Sequence, residues 1–108
     1  MATTSLLKNV SSTGAGSGVS FTAGSGILVV HGSFAGHTVS LEVQSDGTDG
    51  DGSTWIPVRD VFFSNFGGVL HISLPGSPTI RAVLQKAGHL GGRDAPDLSA
   101  VYAYVQHA

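Results

Sequence analysis

The sequence predicts an all-β protein, an antiparallel sandwich or barrel. Three observations predict it. Apolar and polar residues alternate with a period of two in run after run. Glycine-rich breaks separate these runs at short intervals. No window carries an apolar stripe at helical spacing between capping residues.

The elements follow in chain order. "SLLKNV" near the start reads as an edge strand, and residues 1–12 are expected as an extended arm or such an edge. "GVSFTA" turns Val19 and Phe21 inward. "GILVVHG" holds an unbroken apolar run, Ile27 to Val30, as a central strand covered by neighbours does. "HTVSLEVQS" sets Val39, Leu41 and Val43 on one face and Thr38, Ser40, Glu42 and Gln44 on the other. "GVLHISLP" points Leu70, Ile72 and Leu74 inward and His71 and Ser73 outward. "TIRAVLQK" opposes Ile80, Ala82 and Leu84 to Arg81, Val83 and Gln85. "LSAVYAYVQ" opposes Val101, Ala103 and Val105 to Tyr102 and Tyr104, so both faces of this last strand are apolar or aromatic. Tyr102 and Tyr104 are therefore expected at a covered face or a subunit contact. The breaks are "STGAGSG", "AGSG", "FAG", "SDGTDGDGS", "NFGG", "PGSP" and "GHLGGRDAPD", rich in residues that tolerate turn conformations.

The 108 residues fit one domain over 1–108. Charged residues make up 11% of the chain, against about 25% in ordinary soluble domains, and the mean hydropathy is +0.22. A domain of this size exposes much of its surface, so that surface is largely neutral, and neutral faces associate with little charge repulsion. A homo-oligomer is expected. The net charge of −2 and the scattered Lys8, Arg59, Arg81, Lys86 and Arg93 argue against nucleic acid, which needs clustered cations. There is no cysteine, hence no disulfide framework or thiolate site. "MATTSLLKNV" lacks the basic start and apolar run of a signal peptide. No apolar stretch approaches the ~20 residues of a membrane span. A protein made in a cytosol, with no membrane partner, is expected.

Asp46, Asp49 and Asp51 offer hard oxygen ligands of the kind calcium takes. From Asp49, the spacing to Asp51, Ser53 and Asp60 follows an EF-hand loop, but the sixth position is Thr54 where glycine is needed, and strands flank it. The reading preferred is a hairpin loop built on Asp-Gly turns. His31 and His37 are six residues apart across "GSFAG" and could face each other in a hairpin. Without HxH or HxxxH spacing, the five histidines do not make a zinc motif. No metal and no cofactor is expected. Without a GxSxG elbow, a cysteine nucleophile or a phosphate-binding glycine loop, an enzyme is not expected either. Trp55 reads as a core or sub-core aromatic, with a sugar-stacking platform as the alternative. Phe62, Phe63 and Phe66 crowd "DVFFSNFGG" and read as a core cap or an apolar contact patch. Arg93, in the long "HLGGRDAPD" break, reads as a loop residue that pairs with Asp94 or reaches a neighbour. Phe62, Phe63, Phe66, Arg93, Tyr102 and Tyr104 are the protein-contact candidates.

"LLKNVSSTGAGS" (Leu6–Ser17), "GSFAGHTVSLEV" (Gly32–Val43), "DG" at Asp46, "STWIPV" (Ser53–Val58) and "RAV" (Arg81–Val83) together resemble the pattern of small tailed-bacteriophage virion proteins. Some of these resemble capsid decoration (cement) proteins. "DGTDGDGS" and "GHLGGRDAP" extend beyond that pattern. The resemblance implies a single jelly-roll-like antiparallel β-sandwich, made in the host cytoplasm and carried on the capsid surface. There it would bridge subunits of the major capsid protein. A tail, baseplate or fibre component, and a host-surface glycan-binding module using Trp55, are the alternatives.

Overall fold

The computed structural model describes residues 2–44, 54–65, 67–86 and 99–108. These form β1 (Ala2–Val10), β2 (Gly14–Ala15), β3 (Val19–Ser20), β4 (Ser25–Gln44), β5 (Trp55–Asn65), β6 (Gly68–Ser73), β7 (Thr79–Lys86) and β8 (Ser99–His107), with no helix among the described residues. Two antiparallel sheets pack together, and β4 belongs to both. Its first half, Ile27 to His31, is hydrogen-bonded between β6 and β8, and β1 extends this sheet A beyond β8. Its second half, Thr38 to Val43, lies between β5 and β7, and β2 and β3 extend this sheet B beyond β7.

β4 passes from one sheet to the other between Ser33, still opposite Ser99 of β8, and Phe34, opposite Asn65 of β5, just beyond Gly32, where the β4–β8 register shifts. The φ of Gly32, +134°, is a backbone state other residues rarely adopt. A Cβ there would stand 2.5 Å from the carbonyl oxygen of Ala100. Gly67, beside the same bend in the segment joining β5 to β6, is equally constrained: a Cβ would collide with the carbonyl oxygen of Val30. The continuity of β4 corrects the expectation of a turn at "GSFAG". The chain bends there without reversing, because β4 keeps neighbours on both sides before and after the bend, and Phe34 is fully buried within it.

The alternation predicts the core well. Leu28 and Val30 of β4, Ile72 of β6 and Val101, Ala103 and Val105 of β8 fill it from sheet A. Val39 and Leu41 of β4 and Ile80, Ala82 and Leu84 of β7 fill it from sheet B. Leu6 and Leu7 of β1 are both buried although adjacent, because the β1–β8 register shifts between Ser5 and Leu7. Such a bulge lets successive side chains avoid strict alternation. Phe21 closes one end. It is 1% exposed and meets the His107 ring edge-on at 5.8 Å, while His107 Nε2 hydrogen-bonds Thr4 Oγ1 at 2.9 Å.

Candidate interaction surface

β8 builds this surface because its inward residues leave the alternate positions nowhere else to go. With Val101, Ala103 and Val105 buried, Tyr102, Tyr104 and Gln106 project from the outer face of sheet A. Cross-strand register sets their neighbours. Tyr102 lies opposite His31, Tyr104 opposite Val29, and Gln106 opposite Ile27. Val29 in turn lies opposite Val69, and Ile27 opposite His71. The His31 ring stacks on Tyr102 at 4.8 Å with an interplanar angle of 15°, and meets Tyr104 edge-on at 6.0 Å. Such pairs add about 0.5–1.5 kcal/mol each beyond their buried area, which favours this arrangement of the three rings.

On the β1 side, a shallow groove of about 370 Å³ runs between the two tyrosines and Thr3, Ser5, Leu7 and Lys8. On the β6 side the surface is aliphatic: Ile27 is 37% and Val69 67% exposed. The whole face is uncharged apart from Lys8 at its rim. It can take up apolar and aromatic contact and offer neutral hydrogen bonds. Among the described residues there is no group of three or more His, Cys, Asp or Glu side chains able to hold a metal ion.

The outer face of sheet B is organised differently. Arg81 Nε and Nη2 both reach Glu42 Oε1, at 2.8 and 2.7 Å, and the Arg81 guanidinium lies over the Trp55 ring, 4.3 Å from its centroid. The far edge of the Trp55 ring packs close to Gly18 and Thr79. Trp55 is thus half-buried on a strand surface beneath a cation, a sub-core position outside the buried core, and not a bare platform.

Of the contact candidates, Tyr102 and Tyr104 come together on sheet A. Phe62 and Phe63 lie on β5, opposite Ser40 and Val39 in sheet B. Phe66 and Arg93 lie outside the described residues, as do Asp46, Asp49 and Asp51. Gln44 pairs with Trp55, so β4 and β5 form an antiparallel ribbon across that acidic segment. His31 and His37 do not face each other across a hairpin. Both lie on β4, His31 on the outer face of sheet A and His37 buried beyond the bend. The sequence alone did not place His31, Ile27, Val29 and Val69 on this face. The signal available was the apolar run Ile27–Val30, whose odd positions turn outward. Among the described residues no helix is long and apolar enough to cross a membrane. No protein family, curated protein or solved structure matches the chain.

Proposed function

We propose that this chain is a structural protein of a tailed-bacteriophage particle, a decoration protein that self-associates and bridges subunits of the major capsid protein. The observation that carries the reading is the outer face of sheet A: an uncharged surface of Tyr102, Tyr104, His31, Val29, Ile27 and Val69. Tyrosine is among the residues that dominate protein–protein affinity, because it brings large contact area at low entropic cost. An uncharged face also binds with little dependence on salt. The sequence resemblance supplies the partner.

Strand order supports a jelly roll as the finer reading of the sandwich. With the halves of β4 counted separately, sheet A runs β1, β8, β4, β6 and sheet B runs β5, β4, β7, then β2 and β3. With β2 and β3 counted as one strand, successive strands change sheet at every step except from the second half of β4 to β5, which are neighbours in sheet B, the interleaving expected of two Greek keys.

Mass spectrometry of purified particles separated into heads and tails tests the role. Decoration predicts many copies in the head fraction. Recovery in tails alone would replace it with the tail or baseplate reading, and absence from both would reject a virion role. The glycan-module alternative gains nothing from Trp55, one face of which is occupied by Arg81.

A further inference from the structure

Four strand edges bound the two sheets, and three carry devices that discourage pairing with another chain. β1 has two register shifts, Lys8 in its middle and a left-handed Asn9 (φ 53°). β5 carries Pro57, Arg59 and Asp60 in its sequence, and its register against β4 is also interrupted. β2 and β3 are two residues each. Bulges, proline, charge and brevity are the usual means of blunting an edge. The fourth edge, β6, has none of them beyond its modest length. "GVLHIS" contains no proline and no Lys, Arg, Asp or Glu, and its register against β4 is unbroken from Ser25↔Ser73 to Val30↔Gly68.

The ladder also fixes which main-chain groups of β6 are open. Leu74 N–H donates to the Gly24 carbonyl at 2.7 Å, continuing the β4–β6 register. Bonded pairs recur at every second residue of an antiparallel ladder. The N–H and C=O groups of Ile72, Leu70 and Gly68 therefore turn toward β4. Those of Val69, His71 and Ser73 turn away from it, and no other described strand pairs with β6. The same three residues have exposed side chains.

We propose that the β6 edge is a self-docking site, where β6 of one copy pairs antiparallel with β6 of a second and joins two sheets A into one continuous eight-stranded sheet. A second copy is the fitting occupant because the edge is self-complementary: related by a two-fold axis, the donors and acceptors at Val69, His71 and Ser73 meet their own counterparts. No charge opposes the approach. The two-fold places His71 opposite His71 and each exposed Val69 opposite Ser73 of the second copy, so both Val69 side chains gain cover at the seam. One six-residue strand buries less than the ~800 Å² per partner of a standard interface. The dimer is therefore weak in solution and gains strength where many copies are held side by side. This inference rests on the self-association part of the reading above and not on its capsid part.

Sedimentation equilibrium of the full chain, from micromolar to millimolar protein without capsids, tests it. The wild type is expected to pass reversibly from monomer to dimer. Val69→Pro removes an N–H that faces away from β4, so it leaves the internal ladder intact while blocking the seam. Val69→Lys keeps the backbone and adds an edge charge, and covers the case in which the proline variant does not fold. Each folded variant is expected to raise the dimer dissociation constant by about tenfold or more. In the wild type, amide exchange at Val69, His71 and Ser73 should slow with rising concentration, while Leu70 and Ile72 are protected throughout. A wild type that stays monomeric at millimolar concentration overturns both the edge and self-association. A dimer unaffected by the folded variants overturns the edge alone and leaves self-association standing.

Discussion

Arg81 holds two partners at once, the Glu42 carboxylate and the Trp55 ring, and so ties together β4, β5 and β7 on the outer face of sheet B. Both contacts are partly exposed, the side chains of Arg81 and Glu42 keeping 25% and 19% of their accessibility, so each is worth a fraction of a kcal/mol to about 1 kcal/mol. Arg81→Ala is expected to cost about 1 kcal/mol in all, lowering Tm by about 5 °C in a domain of this size. It should also shift the Trp55 emission to the red, as the ring loses its cover. Arg81→Lys should recover part of the stability, because the charge returns without the planar stack. An Ala variant with unchanged Tm and emission would show that the cluster holds nothing. Glu42 and Arg81 are legible in the sequence as outward-facing residues on their strands. Their pairing is not, because it depends on the register between β4 and β7, which no local pattern states. The His31–Tyr102 stack escaped sequence reading for the same reason: the two rings are brought together by a β4–β8 ladder between distant segments.

At the scale of the element, β4 is the piece that makes the fold. Its two amphipathic halves were each legible, Ile27–Val30 as a central strand and Val39–Val43 as a half-buried one. Their continuity was not. A glycine-flanked "GSFAG" has the composition of a turn, and only the neighbouring strands reveal that the ribbon bends there and runs on. β2 was invisible for a different reason, since two residues carry no period, whereas β3 lies within "GVSFTA", whose inward Val19 and Phe21 were legible. The bend depends on Gly32. Gly32→Ala forces a side chain onto a φ of +134° and into the Ala100 carbonyl, and is expected to cost more than about 2 kcal/mol from strain and collision combined. Urea unfolding measures this. A loss below about 0.5 kcal/mol, the usual range for a surface substitution, would mean that the bend is set by packing around Phe34 and not by the glycine.

The whole molecule has two unlike outer faces on one core. Sheet B turns outward a charged, internally satisfied cluster, whereas sheet A turns outward rings and aliphatic side chains with no charge except at the rim. The low charge content anticipated such neutrality, and the alternation in β8 anticipated the tyrosines. Which outward residues would converge into one surface could not be read from the sequence, because convergence is set by the order β1, β8, β4, β6. The most direct test of the proposed decoration role is co-sedimentation of purified protein with undecorated tailed-phage capsids, comparing wild type with the doubly substituted Tyr102→Ser, Tyr104→Ser chain. Both side chains are partly buried on the outer face of sheet A and lie outside the core, so the variant should fold. Wild type is expected to saturate the shells, and the variant to bind at least about tenfold more weakly, as loss of interface anchors implies. Equal uptake of the two proteins, or no uptake of either, would contradict the claim that the outer face of sheet A is where this protein meets its partner.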